Sequence, residues 1–340
     1  MKAAVLYANE DLRYDDWETP QVTEGHVVVK VVATGICGSD VPRVLHNGAH
    51  FYPIVLGHEF AGEIAEIGPG VEGFNIGDRV SGAPLVPCMS CMNCAKGDYA
   101  LCKHYSFIGS RVQGSFAEYV KLPAANAVKF DNSVSFEQGA FFEPSTVALH
   151  GIRLNDFKGG HDVAVLGGGT IGLFTAQWAR IFGATSVTVF DISDERLALA
   201  KEFGADYVVN TLTDQIDKNR YQYVFETAGV TDTMYLAFEV ASSKASVCFI
   251  GTPTKDLVFK PALFENMNRK EFKLTGSWMS YSAPFPGEEW TLTARFFAAG
   301  QLRFDDRFIF RKFDMCDAAK AFELYKTPGS VGGKILLINA

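Results

Sequence analysis

The sequence predicts an α/β chain in two parts: a β-rich first part, then a doubly wound parallel sheet. Three observations predict it. Runs such as His26 to Ile36 and Phe116 to Leu122 carry strand signals among dense glycines and prolines, with no helix–strand alternation around them. From about Asp162 short apolar strands alternate with helical stretches, the pattern of a parallel sheet covered on both faces. A glycine-rich turn joins the first of those strands to the first of those helices.

Composition agrees. With 340 residues, 48% of them hydrophobic, the chain can bury two separate cores. A formal charge of -8 leaves no basic footprint for nucleic acid or an anionic membrane. The first residues, MKAAVLYANEDLRYDD, lack the apolar core of a signal peptide, and no run reaches the roughly 18 apolar residues of a spanning helix. The expectation is a cytoplasmic protein whose thiols stay reduced and free for metal.

In the first part His26 to Ile36 (HVVVKVVATGI) is a β-branched strand. Gly77-Asp78-Arg79-Val80 is a turn entering a strand, and Phe116 to Leu122 (FAEYVKL) alternates like a half-buried one. Between them Cys88, Cys91, Cys94 and Cys102 fall inside fifteen residues, spaced C-x2-C-x2-C-x7-C. Two disulfides over such short loops would be strained, whereas one tetrahedral zinc takes four thiolates. Cys37, Cys248 and Cys316 are scattered, unlike a disulfide framework.

In the second part Val163 to Leu166 is the opening strand, and a helix follows from Thr170 to about Phe182. Ser186 to Phe190 is the next strand. Ser193 to Phe203 is a helix with Ser193 as N-cap and Gly204 as its stop. Tyr207 to Asn210, Tyr223 to Glu226 and Ala245 to Ile250 are further strands, with a helix from Met234 to Ala241 before the last. After Pro286 come helices at Glu288 to Ala299 and Asp317 to Tyr325, then a final strand, Lys334 to Ile338. That tail is expected to rejoin the first part.

Gly167-Gly168-Gly169-Thr170-Ile171-Gly172 matches G-x-G-x-x-G in its required context, strand before and helix after. Gly167 permits the turn, Gly169 lets a pyrophosphate approach, and Gly172 lets helix and sheet pack. Thr170 and Ile171 open the helix whose free N–H groups would meet the anion. Asp191 ends the second strand about 20 residues on, where a carboxylate accepts from ribose hydroxyls and repels a 2′-phosphate. That points to NAD. Arg196 follows by a helical turn and joins the candidate cofactor contacts. A strand-end or N-cap aspartate is the competing reading of Asp191, disfavoured by the glycine turn upstream.

Cys37-Gly38-Ser39-Asp40, Gly57-His58-Glu59 and Phe142-Glu143-Pro144 supply a thiolate, an imidazole and a carboxylate, an open zinc set with one position left for water or substrate. Zinc would polarise an alcohol oxygen and make the carbinol hydrogen a better hydride donor. Glu59 is either a further ligand or a group that fixes a neighbour. Ser39 could carry the alcohol proton toward solvent. Read singly, a cysteine beside glycine is packing and a histidine is seldom a ligand; sequence distance alone does not bring the three together.

Taken in order, these motifs resemble the zinc-dependent medium-chain alcohol and polyol dehydrogenases over nearly the whole chain. The likeness rests on Cys37-Gly-Ser-Asp, Gly57-His58-Glu59-Phe60-Ala61-Gly62, Gly77-Asp78-Arg79-Val80, the four cysteines, Phe116-Ala117-Glu118-Tyr119, Glu143-Pro144 and the dinucleotide turn. It implies a GroES-like catalytic domain over 1–150, completed by 286–340, and a Rossmann NAD-binding domain over 151–285. It also implies a catalytic zinc on Cys37, His58 and Glu143, a structural zinc on the four cysteines, and self-association as a homodimer or homotetramer. The Glu143-Pro144 pair is similar to the polyol branch. Cys37-GSDVPR, Asn47-Gly48-Ala49-His50, Tyr52-Pro53, Phe107-Ile108-Gly109-Ser110-Arg111 and Gly276-Ser277-Trp278-Met279 are similar to members acting on hexitol phosphates. The implied reaction takes galactitol 1-phosphate to tagatose 6-phosphate. The alternatives are an unphosphorylated polyol such as sorbitol or xylitol, and a non-catalytic NAD(H)-binding sensor. Tyr52, Arg43 and Arg111 are the candidate substrate contacts, with arginine suited to phosphate through its planar fork. A surface salt bridge for each arginine and core packing for Tyr52 compete with that reading. His50 reads as a surface or structural residue.

Overall fold

The β-branched run at His26 forms the strand His26–Gly35, and the first unit of the fold is built around it. Val27, Val29 and Val31 point to one face and are buried with Phe60, Ile64, Val80, Val120 and Leu122. The computed structural model describes residues 1–327 and 329–339. It divides the chain into two units. One takes Met1–Glu143, Tyr281–Gly300 and the chain from Phe304 onward; the other takes Pro144–Ser280 with Gln301–Arg303.

In the first unit the sheet order is Ala127–Lys129, Arg79–Gly82, Glu59–Ile67, His26–Gly35, Lys334–Ile338, Ile309–Asp314, with Tyr119–Pro123 also pairing the His26–Gly35 strand. The final strand thus returns to the first part of the chain, antiparallel to His26–Gly35. The registers fix what meets at one sheet end: Gly35 faces Glu59 on one side and Leu336 on the other. Cys37 lies two residues past Gly35, His58 one before Glu59, and Lys334 two before Leu336, so all three converge there. The strand anticipated from Phe116 begins only at Tyr119. Phe116 donates its N–H to Leu56 O instead, and its ring is buried in a second core with Leu56, Ile335 and Leu337. Core packing outweighed the alternation there.

The second unit is a six-stranded, all-parallel sheet in the order Tyr207–Asn210, Ser186–Asp191, Asp162–Leu166, Tyr221–Glu226, Ala241–Phe249, Lys273–Gly276. This is the Rossmann strand order, and it reverses direction between Asp162–Leu166 and Tyr221–Glu226. The first strand is buried from Val163 to Leu166, as a sheet covered on both faces requires. Ser193 caps the helix Asp194–Glu202 by accepting the Arg196 N–H. Three elements of this unit lie outside the sequence expectations. The helix Phe142–Leu154 tolerates Pro144 because the first-turn N–H that proline lacks has no intrahelical partner anyway. The helix Pro261–Lys270 starts on a proline for the same reason. The edge strand Lys273–Gly276 is too exposed to give an apolar signal. No helix among the described residues is long and apolar enough to cross a membrane.

Candidate active site and metal centres

Cys88, Cys91, Cys94 and Cys102 converge. Cys91 caps one short helical turn, Met92–Ala95, Cys94 lies within it, and Cys102 ends another, Tyr99–Leu101. The four sulfurs lie within 4.8 Å of one another, with Cys91 Sγ 3.6 Å from Cys94 Sγ and 3.9 Å from Cys102 Sγ. Four sulfurs around a tetrahedral zinc stand about 3.8 Å apart, whereas a disulfide needs about 2 Å. The Cys88 and His104 N–H groups donate to Cys102 Sγ, at 3.3 and 3.4 Å. The thiols do not share a charge state: donors from Ser90 bring Cys88 down to about 5, while burial pushes Cys94 up to about 12. A divalent cation at the centre removes that conflict by holding all four as thiolates. The residues therefore fit a structural zinc.

The second cluster is assembled by the sheet registers. Cys37 Sγ, a His58 ring nitrogen and a Glu59 carboxylate oxygen lie within 4.8 Å of one another. His58 and Glu59 are buried, and among the described residues His58 Nδ1 and Glu59 Oε2 have no hydrogen-bond partner, only ion-pair contacts. Nδ1 lies 3.5 Å from Asp40 Oδ1, which leaves Nε2 for an ion. Glu59 meets the Lys334 ammonium at 2.8 Å through Oε1 and 2.7 Å through Oε2. Glu143 stands outside the tight group of three. Its carboxyl is pushed up to about 7 first by burial and then by the charge of Glu59, with His58 and Lys334 acting the other way. One thiol, one imidazole and two carboxylates match the donor set of an open zinc site.

Asp40 is the functional residue that sequence reasoning did not single out. It is fully buried, accepts the Cys37 N–H through Oδ2 at 3.1 Å, and turns Oδ1 to both His58 Nδ1 and Arg43 Nη1 at 3.5 Å. The signal was present in Cys37-Gly-Ser-Asp40, but its meaning depended on burial. Burial alone would pull the His58 pKa down; the charges of Asp40 and Cys37 outweigh it and raise the imidazole well above its ordinary value. Lys334 behaves alike, with Glu59 and Cys37 overriding the cost of burial. Ser39 donates its hydroxyl to Cys37 Sγ at 3.4 Å, and Arg43 Nη1 donates to Ser39 O and Oγ at 2.7 and 2.9 Å.

In the second unit the Gly167–Gly172 turn is shaped as an anion cradle. A Cβ on Gly172 would collide with Gly167 O, so helix and strand approach only because that residue is glycine, while a Cβ on Gly169 would meet open space. Thr170 and Ile171 begin the helix Thr170–Ile181. Asp191 holds the turn: Oδ2 accepts the Gly168 N–H at 2.7 Å, and Oδ1 accepts from Ile192, Ser193 and the Arg196 Nε at 2.8, 2.9 and 3.1 Å. Arg196 is thus drawn to the strand end rather than standing a turn away. These groups fit a dinucleotide.

The candidate substrate contacts lie in the first unit. Tyr52 is partly exposed and its hydroxyl accepts the Ala49 N–H at 3.0 Å. Arg111 is exposed and stacks 4.6 Å over the Tyr105 ring, in a turn closed by its own N–H on Phe107 O at 2.9 Å. The Phe107 ring packs edge-on against His58, with centroids 5.4 Å apart. His50 joins them, because its imidazole is lowered by burial and then by the charges of Arg111 and Arg43.

The alcohol dehydrogenase GroES-like domain model matches residues 23–132, and the zinc-binding dehydrogenase model matches residues 170–298. Galactitol 1-phosphate 5-dehydrogenase of Escherichia coli K12 is 40% identical over 347 aligned residues, covering 99% of this chain and 100% of that one. The crystal structure of the Escherichia coli galactitol-1-phosphate dehydrogenase superposes with a TM-score of 0.94 at 39% identity, over 99% of this chain and 100% of that one. A zinc-binding dehydrogenase of Sinorhizobium meliloti, solved bound to NADP, superposes with a TM-score of 0.90 at 30% identity, over 99% and 98%.

Proposed function

We propose that this chain, which belongs to the zinc-binding alcohol dehydrogenase family with a GroES-like domain, oxidises a secondary alcohol of a sugar-alcohol phosphate with NAD. Galactitol 1-phosphate to tagatose 6-phosphate is the best-supported reaction. The chain is an enzyme of the zinc-binding dehydrogenase class; the substrate, the choice of NAD and the residue roles are the proposal. One observation carries it: Cys37, His58 and Glu59 gather at one sheet end with Ser39 in contact with the cysteine sulfur.

When bound, zinc polarises the alcohol oxygen and the nicotinamide accepts the hydride. The protein's part is to hold the reactants and move one proton. Cys37 and His58 would hold the ion with Glu143 or Glu59 as the third donor, and Asp40 would orient His58. Ser39 Oγ takes the alcohol proton as it releases its own hydroxyl proton to solvent, and the Arg43 guanidinium 2.9 Å away lowers the cost of negative charge on that oxygen during the exchange. Asp191 supports NAD, since a carboxylate at that strand end repels a 2′-phosphate. Arg196 is the one group there suited to NADP, so the two cofactors are to be compared directly.

Arg43 and Arg111 support the phosphate. Arg43 is anchored at Ser39, the Arg111 turn is anchored at His58 through Phe107, and His50 lies in the field of both arginines. Such a cluster suits a dianion. Exposed Trp278 and the edge strand Lys273–Gly276, paired on one side only, support self-association as a homodimer or homotetramer.

The test is NAD reduction across hexitols, pentitols and their phosphates. We expect kcat/KM for the hexitol phosphate to exceed that for its parent alcohol. Arg111→Ala should raise KM for the phosphorylated substrate by about 10- to 100-fold, the worth of one or two charge-assisted contacts, and leave the parent alcohol unaffected. Turnover confined to unphosphorylated polyols would remove the phosphate reading and leave the reaction class intact.

A further inference from the structure

Glu226 is a carboxylate buried without a cation. It is the last residue of Tyr221–Glu226, is 0% exposed, and among the described residues pairs with no lysine or arginine. Burying an unpaired charge is costly, so what its oxygens hold matters. Oε1 accepts three bonds: from the Ala228 N–H at 2.9 Å, the Gly229 N–H at 2.8 Å and the Thr233 hydroxyl at 2.7 Å. Oε2 has no hydrogen-bond partner. It faces Gly251, where an added Cβ would lie 2.7 Å from it.

The bonds fold residues 227–230 back over the strand end and pin the first turn of the helix Thr231–Val240. The same segment is tied to the dinucleotide turn. The Thr227 hydroxyl donates to Leu166 O at 3.0 Å and Gly167 O at 3.2 Å, and the Thr227 N–H donates to Leu166 O at 2.9 Å. On the other side the Ile250 and Gly251 N–H groups donate to Glu226 O at 2.8 and 3.0 Å. Glu226 pairs in register with Leu166, at the point where the strand order reverses. In this fold a dinucleotide lies across that point: the half whose ribose meets Asp191 sits on one side, and the other half on the side of Tyr221–Glu226.

We propose that Glu226 is a positioning residue for the nicotinamide half of the cofactor, clasping the 227–230 segment against the Gly167 turn. The proposal rests on the dinucleotide reading of that turn. Glu226 touches neither reactant; it acts through Ala228, Gly229 and Thr233.

The test compares two probes on the full chain: NADH, followed by energy transfer from the protein's tryptophans, and AMP, followed by calorimetry. AMP reports only the half served by Asp191. Glu226→Ala should raise the Kd for NADH about tenfold or more, since three hydrogen bonds to Oε1 are lost, and leave AMP within twofold. Glu226→Gln should restore NADH binding to within about threefold, because the amide oxygen accepts the same three donors. If Glu226→Ala does not fold, Thr233→Val carries the same comparison, with a several-fold loss for NADH alone. An NADH Kd within twofold of wild type, or equal losses for NADH and AMP, overturns the proposal. Wild-type protein that binds neither probe removes the cofactor reading beneath it.

Discussion

The four-cysteine lobe and the Cys37–His58 cluster each gather donors suited to a cation, in opposite ways. The lobe draws its four donors from one stretch, 88–102, and they are all sulfur. The second cluster draws on strand ends brought together by pairing, and its donors are mixed: a thiol, an imidazole and two carboxylates. Four thiolates complete a tetrahedral shell and leave no place for a substrate, while a thiol, an imidazole and one of the two carboxylates would leave one open. The surroundings differ likewise. The lobe sulfurs receive backbone and serine donors, which steady charge and move nothing. Around Cys37 lie Ser39, Asp40, Arg43 and Lys334, groups that can pass a proton or shift a carboxylate. A closed shell stabilises; an open shell ringed by titratable groups reacts.

Breaking one member of each cluster tests that contrast. Cys37→Ala should cost more than about 10³-fold in kcat/KM, the several kcal/mol that a Lewis acid contributes. Bound zinc should fall from two equivalents to one while the melting temperature changes little. Cys94→Ala should do the reverse: one zinc lost, faster amide exchange across 88–102, a lower melting temperature, and kcat/KM within about tenfold of wild type once folded. Elemental analysis, hydrogen exchange and steady-state kinetics on the two variants separate the sites. Full turnover by Cys37→Ala would remove the open site from the mechanism.

The same contrast governs what the sequence could reveal. The lobe was legible from spacing alone because its ligands are neighbours in the chain. So was the Gly167–Gly172 turn, whose strand, glycines and helix are contiguous. The second cluster was legible as residue types but not as a place, since convergence depends on the register of Gly35 with Glu59 and with Leu336. Lys334 stands 275 residues from Glu59, and nothing local marks it as a partner. Asp40 sat inside a recognised motif, yet only burial turns an aspartate in a helix's first turn into the group facing His58. The buried strands announced themselves, while Lys273–Gly276, exposed along the sheet edge, gave no apolar pattern to read.

Asp40→Asn sharpens the comparison at a middle scale. An amide keeps the shape but not the charge facing His58 and Arg43, both 3.5 Å away. Losing such an outer contact costs about 10- to 100-fold in metal affinity or activity. The expected result is faster zinc loss to a chelator from the Cys37 site alone, with the lobe's zinc unaffected. Equal release from both sites would mean that Asp40 supports the unit as a whole rather than one ion.

The smallest expected effect on turnover comes from Lys334→Met. The lysine is largely enclosed and pairs with buried Glu59, and its ammonium, with His58, offsets the charge of Glu143 as well. Removing one partner of a buried pair costs stability, about 3–5 kcal/mol, because the remaining charge is left uncompensated. With zinc bound, the ion takes over much of that compensation, and Glu59, freed from Lys334, gains reason to turn toward it. The variant should therefore melt well below wild type without metal and closer to it with metal. Zinc should leave it more slowly, and kcat should fall by less than about tenfold as Glu59 competes for the open position. Calorimetry with and without zinc, paired with chelator-driven release, reads both halves. Faster zinc release would mean that the lysine holds Glu59 in place for the ion instead of away from it, and the open site would then depend on a residue that the four-cysteine lobe has no counterpart for.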